Sequence, residues 1–440
     1  MTLRHSAPFR RPVAGRDRRG RVRSVGRVVA TGVVAIGCAV GTLAWSSAGP
    51  AGAAPDSLRA TAPPSAGLEQ SWTGPAGTWA VVAMGHYGQR SNTFWQVLFR
   101  PVGKARWTLV TPPGVASNGG FSFAGLSETA GGVGSAAAGF QPSEGLTYSP
   151  VAVTDDDGKS WSAGTLPSAL LAVADAVAES PAGVVYALVR PDGGTLVRSE
   201  GSLTTWKPVA TRTTLAASAA GRGCDVTALT AVVAGGAGSS PELGAACARR
   251  GVIGLFRETP AGWAATTVPL RGDARSTFTV LRLQRSSSGT SAIVEARDQQ
   301  GASLVALWRR TPSSGWTGSP PVRLHGTVLA TTSTGSTSLL VLTGRGFDAQ
   351  RLLWVRGPGA TWRSLGDLPR GTEEVTAAPG AAAEAVAAPA SSGTGAGGPG
   401  ELSALVVSGS KVRVWQRTGG GGWHRTAQRF TVPIEYGSST

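Results

Sequence analysis

The stretch Thr154-Asp155-Asp156-Asp157-Gly158-Lys159-Ser160-Trp161 sets the register for the rest of the chain. Tyr148, Val151 and Val153 lead into it as a strand. The three aspartates then offer carboxylates to backbone N–H groups of a reversal, and Gly158 can adopt the positive φ that a tight turn often needs. Trp161 opens the return strand. Its ring is a large apolar body to pack under the hairpin, and its indole N–H is left to find a carbonyl.

Similar hairpins recur along the chain. In six further places a strand ending in aliphatic or aromatic residues, most often with an arginine, leads through a Gly, Pro or Ser turn to a tryptophan. The full set is Trp107, Trp161, Trp206, Trp263, Trp316, Trp362 and Trp423, with spacings of 54, 45, 57, 53, 46 and 61 residues. A unit near fifty residues that holds several short strands is the signature of propeller blades. Several copies have lost the aspartates, as in Thr311-Pro312-Ser313-Ser314-Gly315-Trp316, so packing of the tryptophan is what the unit retains.

Period-2 runs bounded by glycine clusters supply the other strands of each unit. Residues Thr277 to Leu283, Ser291 to Ala296 and Leu304 to Trp308 read as first, second and third strands, with Trp316 starting the fourth. The same order fits Thr327 to Thr331, Leu339 to Leu342, Leu352 to Val355 and Trp362, and no helical period is sustained over a dozen residues. The fold expected is all-β: a seven-bladed β-propeller with four-stranded antiparallel blades over 71–440. A surplus C-terminal strand, Arg429 to Ile434, is expected to pair with the N-terminal blade and close the ring, which removes exposed sheet edges. The Ala- and Gly-rich stretch at about 376–400 is expected to be a mobile loop.

The order Ser/Thr-x-Asp-x-Gly-x-Ser/Thr-Trp resembles the Asp-box of β-propellers of the sialidase type, of sortilin-like receptors, of some glucan hydrolases and of photosystem assembly factors. Thr154, Asp156, Gly158, Ser160 and Trp161 fill its positions. In that family the box is a structural turn between the third and fourth strands of a blade, so the resemblance implies a fold and leaves activity open.

The N-terminus reads as an export signal. Residues 1–27 hold nine Arg and one Asp, Val28 to Trp45 is an apolar run without a charge, and Ala51-Gly52-Ala53 supplies small residues for cleavage. The expectation is a signal peptide over 1–53, a flexible segment over 54–70 and a secreted product; an uncleaved membrane anchor is the alternative. The whole-chain charge of +16 falls to +8 without the first 53 residues, because they carry nine of 41 basic and one of 25 acidic residues. No basic run interleaved with aromatics is present, so no nucleic acid is expected. Cys224 and Cys247 remain beyond the signal, and an even count in an exported chain reads as one disulfide.

Candidate chemistry is sparse. Sialidase relatives would need an arginine triad, a Tyr–Glu nucleophile pair and an acid Asp. Phe99-Arg100-Pro101 is superficially similar to the family's Phe-Arg-Ile-Pro but lacks the Ile, and the four tyrosines stand in no recognisable context. Glu128, Glu144, Asp273, Glu295, Asp298 and Asp348 are loop carboxylates that nothing pairs, and Arg271-Gly272-Asp273 is a triplet that chance supplies. His86, His325 and His424 have no metal-ligand spacing, so neither metal nor cofactor is expected. The loops joining second to third strands carry Arg90, Arg190, Arg249 with Arg250, Arg297, and Arg345 with Arg351. In a propeller these loops share one end of the channel, where guanidinium groups can hold carboxylate or phosphate bidentately. The expectation is a monomeric, secreted, non-catalytic scaffold that binds a protein, glycan or cell-envelope ligand, an anion among the candidates, through that face. A sialidase-like glycoside hydrolase is the alternative.

Overall fold

A computed structural model describes residues 71–431 except 75, 86–92, 114–120, 127–133, 141–148, 167–173, 190–193, 236–239, 267, 269–274, 287–288, 335–337, 345–349, 378–400, 409–410 and 419–420. The expected signal peptide, the segment 54–70 and most of the Ala- and Gly-rich loop therefore lie outside the described residues.

Antiparallel meanders follow one another along the chain. The first sheet holds β1 (Ser71–Thr73), β2 (Gly77–Gly85), β3 (Thr93–Pro101) and β4 (Thr108–Leu109). The second holds β5 (Phe121–Leu126), β6 (Ser135–Phe140), β7 (Ser149–Thr154) and β8 (Ser162–Leu166). The third holds β9 (Ala176–Glu179), β10 (Val185–Val189), β11 (Thr195–Ser199) and β12 (Trp206–Thr211). Next come β13 (Val226–Val233), β14 (Glu242–Cys247), β15 (Gly254–Thr259) and β16 (Gly262–Ala265). They are followed by β17 (Thr277–Ser286), β18 (Gly289–Asp298), β19 (Gly301–Arg309) and the short β20 (Thr317–Gly318) and β21 (Val322–Arg323), which both pair with β19. Then β22 (Thr327–Thr334), β23 (Ser338–Gly344), β24 (Arg351–Arg356) and β25 (Arg363–Asp367) form a sheet. The last comprises β26 (Thr372–Ala377), β27 (Leu402–Ser408), β28 (Lys411–Arg417) and β29 (His424–Thr431).

Among the described residues five sheets have four strands, and β13 to β21 form one sheet of nine. The merger has a local cause. Strand β15 begins at Gly254, opposite Ala245, so Ala246 and Cys247 keep a free edge, and Thr279 and Phe278 of β17 take it. The first strands of successive meanders stand side by side, β1 by β5, β5 by β9, β9 by β13, β13 by β17 and β22 by β26, and β1 also packs against β26 and β22. This is the arrangement of a β-propeller. Apolar side chains fill the spaces between sheets. Ala80, Val82, Leu98 and Trp107 of the first region pack with Leu405, Val412 and Val414 of the last.

Each of the seven tryptophans sits at or just before the outermost strand of its meander, or inside it for Trp263. Three of them donate their indole N–H to the preceding sheet: Trp161 to the Val110 carbonyl at 2.9 Å, Trp206 to the Thr165 carbonyl at 2.8 Å and Trp362 to the Ser319 hydroxyl at 3.0 Å. The indole thus fastens sheet to sheet while its ring fills the gap.

One reading of the sequence needs correction. The C-terminal strand does not pair with the first sheet: β29 pairs with β28, and the first sheet has its own inner strand in Ser71-Trp72-Thr73. What read as a fourth strand plus a surplus one is a single long strand, His424–Thr431, that absorbs a register shift between Arg413 and Trp415. Helix is also present, in α1 (Arg212–Ala217) and α2 (Ala219–Cys224), capped by the hydroxyls of Thr211 and Ser218. At six residues each they are too short for a helical period to register. Cys224 ends the second helix, and its disulfide to Cys247 ties that helix to the end of β14.

Candidate functional site

Strand β17 carries an arginine in an otherwise apolar run, and the fold places it at the axis. Arg282 is 1% exposed. Its guanidinium donates to the Thr331 carbonyl and hydroxyl on β22 and, at 2.6 Å, to the Ser71 carbonyl on β1, and it lies 4.5 Å from the Trp72 ring centroid. Three first strands are thus cross-linked by one side chain. On β26, which has a bulge between Thr372 and Glu374, the Glu374 carboxyl joins this cluster. Glu374 accepts from the Ser71 hydroxyl at 3.1 Å and from the Val375 N–H at 3.0 Å. Burial pushes its carboxyl up to about 8, against the opposing pull of these hydrogen bonds and of the Arg282 charge; burial alone pushes Glu373 up to about 8. Arg282 and Glu374 are thus both tied to Ser71, the first through its carbonyl and the second through its hydroxyl.

One end of the meanders is shaped by a recurring ion pair. Arg309 ends β19, lies over the Trp316 ring at 4.7 Å and pairs with Glu242 at the start of β14; Arg285 reaches the same carboxylate at 2.9 Å. Arg100 near the end of β3 lies over Trp107 at 5.1 Å and reaches Glu401 at 3.5 Å, the Ser403 hydroxyl at 3.3 Å and the Ala377 carbonyl at 3.3 Å. Burial lowers the pKa of both guanidinium groups, opposed by their carboxylate partners. The arginine of Phe99-Arg100-Pro101 is therefore spent on the seam between sheets. Also at this end, burial raises Glu179 to about 7 although it accepts the Ser135 hydroxyl at 2.7 Å.

The turn 154–161 lies here too, between β7 and β8. Asp156 accepts the Thr154 hydroxyl at 2.9 Å, the Ser160 N–H at 2.9 Å and the Ser160 hydroxyl at 2.6 Å, which together hold its carboxyl down at about 2. Asp157 and Gly158 both take positive φ, 67° and 77°.

At the opposite end stand the loops between second and third strands. Arg249 and Arg250 are exposed in the turn after β14, where the Arg249 N–H donates to the Cys224 carbonyl at 3.1 Å. Arg297, exposed near the end of β18, forms an ion pair with Glu295 at 2.5 Å. Because Cys247 pairs with Phe278 and Thr277 with Arg297, these arginines share one end of neighbouring meanders. Arg351 opens β24, exposed. Arg90, Arg190 and Arg345 lie outside the described residues, as do Glu128, Glu144, Asp273, Asp348 and His86. His325 and His424 are exposed. Among the described residues no group of three metal-ligating side chains occurs, and no helix is long and apolar enough to cross a membrane.

The sequence reading missed Arg282, Glu373 and Glu374. A charged residue in the middle of Thr277 to Leu283, and paired acids opening a strand, were the available signals.

No protein-family model matches the chain, and no curated protein matches it in sequence. Its fold is similar to several solved structures. The β-propeller domain of Swd1 from Myceliophteria thermophila is 13% identical over 81% of this chain and 98% of that one, with a TM-score of 0.48. YCF48, solved bound to a D1 peptide, is 13% identical over 81% and 93%, with a TM-score of 0.42. A six-bladed fucose-binding lectin from Aleuria aurantia is 13% identical over 68% and 96%, with a TM-score of 0.39.

Proposed function

We propose that the chain is a secreted, seven-bladed β-propeller with four-stranded blades that acts by binding and without catalysis. Its ligand is a protein, glycan or cell-envelope component held at the end that bears Arg249 and Arg297. The observation that carries this reading is the cross-linked axis: Arg282 donates to Thr331 and to the Ser71 carbonyl, and the Ser71 hydroxyl donates to Glu374, which engages groups that a propeller enzyme would need open and substrate-facing. Binding then falls to the rim. Seven antiparallel meanders with the same strand order support the blade count. Closure of the ring without an exchanged strand is supported by repetition of one device: Arg100 reaches across to Glu401 of the last meander much as Arg309 reaches across to Glu242 of the one before it. The hydroxyl–carboxylate ties of Thr154, Asp156 and Ser160 support reading their turn as an Asp-box.

Two measurements test the proposal. N-terminal sequencing of protein recovered outside the producing cells is expected to start near residue 54. Purified protein screened against a glycan array and against fractionated cell envelope is expected to retain a ligand that Arg249→Ala/Arg297→Ala releases. Retention unchanged by that double substitution would remove the rim from consideration.

A further inference from the structure

Away from both ends of the axis, the first and last sheets meet in a groove of about 460 Å³ on the outer side of the molecule. The β3–β4 turn supplies Arg106, β28 supplies Gln416, and β29 supplies Thr426, Gln428, Arg429 and Phe430. A volume of this size is in the range that takes a small organic ligand. Its donors are of three kinds. Arg106 and Arg429 are both exposed, and no ion pair engages either among the described residues. Gln416 and Gln428 are fixed at one end, by Glu401 at 3.1 Å and by the Trp107 carbonyl at 3.2 Å, so their amides are held in place. Phe430 is half-buried against Val412 and Val414 and contributes an apolar surface.

The charge around this groove is unbalanced by design of the sequence. From Leu402 to Ile434 the chain has five cations, Lys411, Arg413, Arg417, Arg425 and Arg429, and no Asp or Glu. The flanking acids in sequence are Glu401, already engaged by Arg100 and Gln416, and Glu435, which lies outside the described residues. Arg413 and Arg429 stand directly opposite each other in the ladder, a like-charge pairing that costs stability. Cations on an outer strand do deter edge-to-edge aggregation. That role needs nothing from Arg106, which faces β29 from another sheet. An anion seated between Arg106 and Arg429 would offset the repulsion.

We propose that this groove is a binding site for an anionic saccharide, a sugar unit carrying a carboxylate or a phosphate, and that it is separate from the arginine-bearing rim. The two guanidinium forks take the anion, the amides and the Thr426 hydroxyl lie within the groove for sugar hydroxyls, and Phe430 takes the apolar face of the ring. Nucleic acid is the less suited occupant, since a single half-buried phenylalanine is no stacking track for successive bases.

Calorimetric titration of the purified protein with polygalacturonate, with a phosphate-bearing mannan and with neutral dextran tests the assignment. At least one of the two anionic polymers is expected to bind while dextran does not, and which of them binds identifies the anion. In an Arg249→Ala/Arg297→Ala background, which removes any contribution of the rim, Arg106→Ala/Arg429→Ala is expected to weaken that binding about tenfold or more with an unfolding midpoint no lower than the parent's, because both side chains are exposed. Absence of binding to both anionic polymers, equal binding of dextran, or full affinity in Arg106→Ala/Arg429→Ala overturns the proposal. Competition by duplex DNA as effective as that by the anionic polymer also overturns it, since a general cationic field would then suffice.

Discussion

Two turns of equivalent position, 154–161 between β7 and β8 and 311–316 between β19 and β20, solve the same problem with different chemistry. In the first, the Asp156 carboxylate gathers Thr154 and Ser160, and the Thr154 hydroxyl accepts the Gly158 N–H at 3.0 Å. In the second no carboxylate is present: the Thr311 N–H donates to the Ser314 hydroxyl at 2.9 Å, and the Ser314 N–H returns to the Thr311 hydroxyl at 3.2 Å. The tryptophans that follow are seated differently too. Trp161 is half-buried and anchored through its N–H to Val110, whereas Trp316 is buried beneath Arg309 with no acceptor for its N–H among the described residues. Turn chemistry is therefore interchangeable between repeats, and these two tryptophans are seated by different means, one by a hydrogen bond to the neighbouring sheet and the other under a buried ion pair.

The largest contrast is expected from Arg309→Ala. It strips the cover from Trp316 and leaves buried Glu242 with Arg285 alone, at a cost of about 3 kcal/mol or more, read as a fall in the urea midpoint. Gly158→Ala comes next. A Cβ there would lie 2.6 Å from the Val110 Cβ at a φ of 77°, so about 2–4 kcal/mol is expected, while Gly315→Ala, with open space around it, should stay within about 0.5 kcal/mol. A comparable loss at both glycines would mean that the turns do not differ in the way their packing implies. Trp161→Phe retains a ring but strands the Val110 carbonyl, for about 1–2 kcal/mol in equilibrium unfolding. Trp316→Phe forfeits no such bond, so its loss reports packing and the contact with Arg309.

These turns also show what could be read ahead of the structure. Strands such as Leu304 to Trp308 and Leu352 to Val355 were legible because apolar runs end at glycines and a tryptophan follows at steady spacing. Strand β1 was not, since Ser71-Trp72-Thr73 is too short to show a period. Strand β29 was misread because its polar alternation, with Arg425, Gln428 and Arg429, carries no apolar signal to mark where one strand ends. The sites follow the same rule. Arginines in loops can be placed at one end by counting strands, as Arg249 and Arg297 were. The contacts of Arg282 with Ser71 and of Arg100 with Glu401 join residues 211 and 301 positions apart, and no local pattern announces a partner at that distance. The groove beside Phe430 has the same origin, because it exists only where the two ends of the chain meet.

The smallest effect separates the two turns by proton linkage. Hydrogen bonds from the Ser160 hydroxyl and N–H hold Asp156 at about 2, below its unfolded value of 3.8. A carboxyl with a depressed folded pKa contributes stability that is present above the unfolded value and lost as pH falls through the folded one. The window is thus between about 4 and about 2. Glu373 and Glu374 shift the other way, so their contribution is present in acid and lost as pH rises from 4.5 through about 8, clear of that window. In acid titrations of stability, the difference between the parent protein and Asp156→Asn should shrink as pH falls from 4 toward 2. Thr311→Ala removes a turn that has nothing to titrate, and its difference from the parent should stay constant over the same range. A pH-independent difference for Asp156→Asn would show that the carboxylate charge adds nothing to its turn beyond what the hydroxyls at Thr311 and Ser314 supply to theirs.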